Sequence, residues 1–185
     1  MSTGTPVRSP RAVVVFGVAG SGKTTVASAL AARIGADFVD ADDHHDAARI
    51  AQMASGIPLR DADRWDWLMR LRAVIDGAAK EGRSIVLACS ALRVSYRDVL
   101  REAATPLVFV GLDISRSALE ERLSRRPAHF MPAVLLDSQL ETYEPPDPAE
   151  RDRDAFTVSA EQDVDAVVAD ILQEFERSGL GGHRN

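Results

Sequence analysis

The sequence predicts an α/β fold, a parallel β-sheet with helices on both of its faces. Five short segments have the length and composition of strands, at residues 12–16, 37–40, 84–89, 107–112 and 156–158. Segments with the apolar spacing of amphipathic helices lie between and after them, at residues 23–34, 67–78, 96–103, 115–126 and 164–175. Strands that alternate with helices along the chain are typical of βαβ units, in which the strands run parallel.

The length of the chain, 185 residues, is that of a single domain. We expect this domain to span residues 12–177. Residues 1–11 contain Ser, Thr, Gly, Pro and Arg without an apolar block, so we expect a flexible tail there and not a signal peptide. Residues 178–185 are rich in glycine and are expected to form a second flexible tail.

Composition and charge argue against several classes of protein. No apolar run approaches the roughly 18 residues that a membrane span requires, so no membrane association is expected. The formal net charge of −6 argues against general nucleic-acid binding. The single cysteine, Cys89, cannot form an internal disulfide, which suits a reducing compartment, and we expect a cytoplasmic protein. Because Cys89 lies on a predicted strand, we expect it to be a buried apolar side chain.

A phosphate-binding motif follows the first predicted strand. Residues 17–24, GVAGSGKT, match the pattern G-x-x-x-x-G-K-[ST] between a strand and a helix. The glycines let the backbone curl so that several N–H groups point at one phosphate, and the helix that follows adds its N-terminal dipole. In such a loop Lys23 reaches the β- and γ-phosphates of ATP, and the hydroxyl of Thr24 binds Mg²⁺. The predicted nucleotide-binding residues are Gly17, Val18, Ala19, Gly20, Ser21, Gly22, Lys23, Thr24 and Thr25.

Other features narrow the class of P-loop protein. The guanine-binding motif of regulatory GTPases is absent, because it requires an asparagine and the only one is Asn185. The third strand runs into residues 88–90 without an aspartate, so the acidic residue of motor ATPases is missing as well. Carboxylates come instead from Asp40, Asp42 and Asp43, which follow the second strand at the sheet edge where ligands bind. This cluster suits Mg²⁺ contacts and the orientation of an attacking hydroxyl, although helix capping would explain any one of the three.

With these residues placed, the chain resembles the small gluconokinases, relatives of the shikimate and nucleoside-monophosphate kinases. The resemblance runs from about residue 13 to residue 171. Its specific parts are DADDHH at 40–45, MASGIPL at 53–59, ACSAL at 88–92, YRD at 96–98 and HFMP at 129–132, together with 63–64, 138–139 and 141. Three positions depart from the usual family pattern: Arg93 stands where the family has lysine, Ala128 where it has glycine and Asp46 where it often has proline.

The resemblance implies a P-loop kinase fold with a five-stranded parallel sheet and a mobile helical lid, at about residues 116–150, after the fourth strand. It also implies that ATP, with Mg²⁺, phosphorylates D-gluconate to 6-phospho-D-gluconate, and that the protein is a homodimer. We assign Asp42 to the attacking hydroxyl and the pair Thr24 and Asp40 to Mg²⁺. Which of Asp40, Asp42 and Asp43 is the base stays open.

Gluconate is a carboxylate with five hydroxyl groups, so its site needs cations and hydrogen-bonding side chains. The predicted acceptor-binding residues are Asp42, His45, Arg49, Arg64, Arg93, His129 and Gln139. Arg122 and Arg126 lie four residues apart on one face of a lid helix and are predicted, with Lys23, to hold the charge of the transferring phosphoryl group. The alternative for each acceptor-side arginine is a solvated surface charge, and for the lid pair it is compensation of the helix dipole.

Two other functions stay open on the sequence alone. A related kinase would phosphorylate another small hydroxy acid, such as shikimate. A regulatory protein would bind nucleotide and show only weak ATPase activity. Formation of ADP that depends on an acceptor distinguishes an enzyme from the regulatory protein.

Overall fold

The computed structural model describes residues 12–46, 48, 51–52, 55, 61–125 and 133–180. The predicted tail at 1–11 lies outside these ranges. Residues 181–185 of the second predicted tail also lie outside them, so both tails stay predictions. Within the described ranges, the chain forms one β-sheet with helices packed on both of its faces.

The sheet has five parallel strands: β1 (Ala12–Phe16), β2 (Asp37–Asp40), β3 (Ile85–Cys89), β4 (Leu107–Asp113) and β5 (Ala155–Ser159). Their order is β2-β3-β1-β4-β5, which confirms the predicted five-stranded parallel sheet. Phe16, the last residue of β1, lies opposite Cys89 of β3 and Gly111 of β4. The carboxyl ends of the central strands therefore meet at one edge, where the segments that follow them form loops.

Seven α-helices lie in the described ranges: α1 (Lys23–Ile34), α2 (Asp61–Lys80), α3 (Val94–Arg101), α4 (Arg116–Ser124), α5 (Ala133–Thr142), α6 (Pro148–Arg153) and α7 (Val164–Ser178). A 3₁₀ helix, Ala41–His44, follows β2. Each helix predicted from apolar spacing is present; α1 has the predicted ends, and the ends of the others are shifted. In the described part of the chain, none of the helices combines the length and apolar character needed to cross a membrane.

Three helical segments differ from the predictions for physical reasons. Helix α2 begins at Asp61 and not at residue 67, because Asp61 and Asp63 favour a helix N-terminus before the apolar spacing starts. Helix α6 is too short to show a periodic pattern. It forms because Asp147 caps it, accepting a hydrogen bond from the N–H of Glu150 at 2.8 Å, and Pro148 occupies its first position. Helix α5 lies inside the predicted lid but was not itself predicted.

Alternate residues of the central strands fill the two faces of the sheet. On one face, Val14 and Phe16 of β1 pack in a cluster with residues of α2 and α3. On the other face, Val13 and Val15 pack with residues of α1 and α7. Strand β1 is covered on both faces of the sheet, so every residue of its sequence AVVVF is apolar and buried. Cys89 is buried at the end of β3, which confirms its prediction as a core side chain.

A third apolar cluster connects the predicted lid to the edge of the sheet. Leu119 of α4 and Leu136 of α5 pack with Val18 and Leu92. Val18 belongs to the loop that follows β1, and Leu92 to the loop that follows β3. Helices α4 and α5 therefore pack against both loops, and the mobility of the lid stays a prediction.

Candidate active site

The loop between β1 and α1 has the backbone conformation of a phosphate-binding loop. Gly17, Gly20 and Gly22 have φ angles of 151°, 83° and 97°, a region that residues with a Cβ seldom adopt. Space is also limited around the loop. A Cβ at Gly17 would lie 3.0 Å from the Oγ of Ser21, and one at Gly20 would lie 3.2 Å from the side chain of Leu123 in α4. The glycines are therefore required both by the turn and by its neighbours.

The two residues predicted to bind Mg²⁺ lie next to each other. The Thr24 hydroxyl donates a hydrogen bond of 2.9 Å to Oδ2 of Asp40, the last residue of β2. The other carboxylate oxygen, Oδ1, accepts from the N–H of Asp42 at 3.1 Å, so Asp40 also caps the 3₁₀ helix. Hydroxyl and carboxylate oxygens are the hard ligands that Mg²⁺ prefers, usually from one or two side chains together with phosphates. The donor set therefore fits the predicted ion.

The charges of three residues predicted for the site act on the buried thiol at the end of β3. Burial raises the pKa of the Cys89 thiol to about 12, and the charges of Asp42, Lys23 and Arg64 also act on this pKa. The three side chains come from separate segments of the chain, yet each lies close enough to Cys89 to influence its ionisation. Because the thiol is buried and protonated at neutral pH, Cys89 is unsuited to act as a nucleophile.

Lys23 contacts the loop that it follows. Its Nζ donates a hydrogen bond of 3.0 Å to the carbonyl oxygen of Val18. The ammonium group of Lys23 is thus held against the loop that is predicted to bind phosphate. The predicted Thr25 is exposed in the first turn of α1.

An aromatic frame supports the acceptor side of the site. The His45 ring stacks on Trp67 of α2, with ring centroids 4.5 Å apart and an angle of 7° between the planes. Trp67 is buried, and its Nε1 donates a hydrogen bond of 2.8 Å to the carbonyl oxygen of Ala41, which fixes the 3₁₀ helix against α2. The guanidinium of Arg64 lies 5.7 Å from the ring centroid of Tyr96. His45 and Arg64 are therefore held by rigid rings, as a preorganised site requires.

Burial lowers the pKa of His45 below its ordinary value. The nearby cations Arg64 and Arg70 also lower this pKa, whereas Asp42 and Asp46 raise it. Among the described residues, no group forms a hydrogen bond with the buried Nδ1 of His45. The imidazole is therefore held in its neutral form, in which one ring nitrogen donates and the other accepts a hydrogen bond.

Two lid residues predicted for the site contact the phosphate-binding loop. Arg122 of α4 donates hydrogen bonds to the carbonyl oxygens of Ser21, at 3.2 Å, and of Ala160, which follows β5. Gln139 of α5 accepts a hydrogen bond of 2.7 Å from the N–H of Ala19 through its Oε1. Arg122 and Gln139 therefore both contact the backbone of the phosphate-binding loop, and their roles in catalysis stay predictions.

Four other residues were predicted for the acceptor side and the lid. Arg93 is the residue that precedes α3 and is half-buried in the loop after β3. Arg49, Arg126 and His129 lie outside the described residues, so their roles stay predictions.

Sequence reasoning missed a group of residues behind the site. Arg97 of α3 is fully buried and bonds to Glu150, and Glu144 holds the loop that contains Arg93. The segment YRD that contains Arg97 was noted only as part of the family resemblance. Arg97 stands in the sequence between the apolar residues of α3, a position at which a side chain is buried and an arginine therefore needs a partner. That pattern would have identified Arg97.

The fold and this arrangement define the class of the protein. The site combines a phosphate-binding loop after β1, the Asp40–Thr24 pair at the end of β2, and Arg122 of α4, which contacts the loop. These are the parts of a phosphoryl-transfer site. The protein is therefore a P-loop kinase.

Comparison with known proteins identifies the family within this class. A family profile described as an AAA domain matches residues 13–146. A gluconokinase of Gluconobacter oxydans (strain 621H) is 44% identical over 167 residues, which cover 90% of this chain and 92% of that protein. The crystal structure of a gluconokinase from Sinorhizobium meliloti 1021 has a TM-score of 0.81 at 42% identity, covering 92% of this chain and 94% of that one. An unliganded sugar kinase from Janibacter sp. HTCC2649 has a TM-score of 0.82 at 41% identity, covering 94% and 99%. The chain belongs to the gluconokinase family, which confirms the resemblance.

The lowered pKa of His45 predicts a loss of stability in acid. Unfolding restores the ordinary pKa, about 6.5, so below that pH the unfolded state binds a proton more readily than the folded state does. Stability is therefore lost as the pH falls from about 6.5 through the folded pKa, by at most about 1.4 kcal/mol per pH unit.

Urea unfolding of the wild type and of His45→Gln, measured from pH 5 to pH 8, tests this expectation. The difference in the free energy of unfolding should be constant above about pH 7.5 and should change in favour of the variant below about pH 6.5, because glutamine does not titrate. A difference that is the same at every pH would contradict the lowered pKa.

Proposed function

We propose that this protein transfers the γ-phosphoryl group of ATP to the primary hydroxyl of D-gluconate, giving 6-phospho-D-gluconate and ADP. The observation that carries the proposal is the Thr24–Asp40 pair beside the phosphate-binding loop, with the exposed Asp42 and the guanidinium of Arg64 over Tyr96 available on the acceptor side. The gluconokinases similar to this chain cover nearly its whole length, and the segments that resemble the family include these acceptor-side residues.

On the nucleotide side, the backbone N–H groups of residues 17–24 bind the phosphates of ATP, and Lys23 contacts the β- and γ-phosphates. Thr24 and Asp40 hold Mg²⁺, which, when bound, neutralises charge on the phosphate oxygens. Lys23 leaves the carbonyl oxygen of Val18 to meet the phosphates, so binding exchanges a hydrogen bond to a neutral acceptor for one to an anion.

On the acceptor side, arginines bind the carboxylate of gluconate and His45 binds a hydroxyl group. Arg64 is the first candidate for the carboxylate, because its planar guanidinium lies over the ring of Tyr96, which limits its orientations. Arg93 is the second candidate, in the loop that follows β3, and Arg49 is a third. His129 and Gln139 act from the lid, with Gln139 exchanging its hydrogen bond to Ala19 for one to the substrates.

Asp42 orients the primary hydroxyl and accepts its proton as the oxygen attacks the γ-phosphorus, while the bond from phosphorus to ADP breaks. The carboxylate of Asp42 is exposed at the start of the 3₁₀ helix, so an acceptor can reach it. Arg122 and Arg126 bind the charge on the phosphoryl group with Lys23. Apolar packing of α4 and α5 on Val18 and Leu92 excludes water when the lid is closed.

The organisation of the protein is proposed from the family and from composition. We propose a homodimer in the cytoplasm, with one domain at residues 12–177 and a lid at about 116–150 that moves during the catalytic cycle. Light scattering of the purified protein tests the dimer.

Gluconate should accelerate the formation of ADP at least about tenfold, because a closed kinase site limits the transfer of phosphate to water. ADP release with ATP–Mg²⁺ is measured with no acceptor, with gluconate, with other sugar acids and with shikimate. The mass of the product shows the added phosphate. Lys23→Ala, which should lose roughly 10²–10³ in rate, is the control for a contaminating kinase. Equal ADP release with and without each acceptor would favour the regulatory protein, and a response to shikimate alone would favour the related kinase.

Asp42→Asn should lower kcat by about 10²–10⁴, because the amide keeps the shape of the side chain but cannot accept the proton. The matched control is Asp43→Asn, an exposed neighbour in the same 3₁₀ helix. The KM for ATP should change little in both variants. A loss of kcat in Asp43→Asn but not in Asp42→Asn would move the base to Asp43.

Arg64→Ala should lower kcat/KM for gluconate roughly 10- to 150-fold and leave the KM for ATP nearly unchanged, because a charge-assisted bidentate contact contributes about 1.5–3 kcal/mol. Arg64→Lys should restore only part of the loss, since an ammonium group lacks the planar fork. Arg72→Ala, on the same helix but paired with Glu102, is the matched control. If Arg64→Ala weakens ATP instead, Arg64 belongs to the nucleotide side.

A further inference from the structure

A buried arginine lies at the junction of the acceptor loop and the lid. Arg97 of α3 has no exposed surface. Its Nε and Nη2 donate to the two carboxylate oxygens of Glu150 at 2.8 and 2.6 Å, a bidentate pair. Burial alone would raise the pKa of Glu150, but hydrogen bonds from Arg97 and Arg101 lower it to about 2, so the carboxylate stays ionised. The guanidinium also lies 4.7 Å from the ring centroid of Phe16, the residue before the phosphate-binding loop.

The remaining donors of Arg97 hold the backbone around Arg93. Nη1 donates to the carbonyl oxygen of Ala91 at 3.0 Å and more weakly to that of Leu92 at 3.4 Å. Ala91 has a φ of 34°, in a region that non-glycine residues seldom occupy, so its conformation needs support from the surrounding structure. Nη2 donates to the carbonyl oxygen of Glu144 at 3.1 Å, in the segment that follows α5.

Glu144 completes the connection between the loop and the lid. Its N–H donates to the carbonyl oxygen of Leu92 at 2.8 Å, and its Oε2 accepts from the N–H of Val94 at 2.6 Å. The residues on both sides of Arg93 are therefore bound by one residue from the end of the lid. Since Val94 is the first residue of α3, the carboxylate of Glu144 also satisfies a free N–H group at the N-terminus of that helix.

We propose that Arg97 is a positioning residue for catalysis, which acts through the loop at 91–94 to orient Arg93 toward the carboxylate of gluconate, and that Glu144 couples this loop to the lid. The proposal rests on the proposed function. Arg97 is too deeply buried to touch a substrate. Stability alone does not require it, because apolar side chains often replace a buried ion pair without loss of stability. Its four partners, three backbone carbonyl groups and the carboxylate of Glu150, therefore point to a positioning role.

Arg101 provides a matched control on the same helix. It also binds Glu150, at 2.7 Å, and its guanidinium lies 4.5 Å from the ring centroid of Phe109. Its other hydrogen bonds in the described residues go to Asp154 and Asp98, away from the acceptor loop. Arg97→Lys and Arg101→Lys each keep the charge and remove the planar fork.

Kinetics with each substrate varied in turn tests the proposal. Arg97→Lys should raise the KM for gluconate roughly 10- to 100-fold, more than it lowers kcat, because a small displacement of a binding group has a large effect on affinity. The KM for ATP should stay within about twofold. Arg101→Lys should leave both KM values within about twofold. Equal effects of the two variants on gluconate, or an effect of Arg97→Lys mainly on ATP, would overturn the proposal.

A second pair of variants decides the question if Arg97→Lys does not fold. Glu144 lies at the exposed rim of the network. Glu144→Ala should raise the KM for gluconate and speed the hydrogen exchange of the Val94 amide, whereas Glu144→Gln, which still accepts a hydrogen bond, should restore both in part. Unchanged exchange and KM in Glu144→Ala would overturn the proposal. The exchange measurement needs no substrate. If gluconate does not stimulate the wild type, the proposed function is refuted, but hydrogen exchange still tests whether Glu144 holds the loop.

Discussion

The parallel register of β1 with β3 and β4 is the constraint on which the site depends. Because Phe16, Cys89 and Gly111 lie side by side, the loops that leave these strands begin at the same level of the sheet edge. The first loop binds phosphate and the second contains Arg93. Asp40 lies next to Ala88 in the same register, which brings its carboxylate to Thr24. A shift of one strand would separate the nucleotide from the acceptor.

The sequence predicted the elements whose signals are local. The strand β1, the helix α1 and the glycine loop between them follow from apolar runs and a motif, and the structure places them at the predicted residues. Other contacts join residues that are far apart in the chain: the ring of His45 stacks on Trp67, and Gln139 accepts a hydrogen bond from the N–H of Ala19. No local pattern in the sequence reveals such contacts. Leu136 of α5 packs on Val18 and Leu92, two loop residues distant in the sequence, so no local pattern reveals the position of this helix.

The many arginines of this acidic chain serve two different purposes. On the surface, Arg116 pairs with Glu120 and Asp137, and such exposed pairs contribute little to stability. Arg97 and Glu150 differ because both are buried, and removing either partner would leave a charge without compensation in the core. The buried pair therefore specifies one arrangement of the chain around it, more than it adds to stability.

The contacts of the lid explain why the phosphate-binding loop needs glycine for two reasons at once. Any other residue in place of Gly20 would have to adopt a φ of 83°, and its Cβ would lie 3.2 Å from the side chain of Leu123. The same substitution would thus disturb the turn and the packing of α4. Gln139 adds a polar counterpart, since its Oε1 satisfies the N–H of Ala19, a donor predicted to bind phosphate. Nucleotide binding would then exchange one acceptor for another without leaving a buried N–H group unsatisfied, so the lid and ATP meet at the same backbone atom.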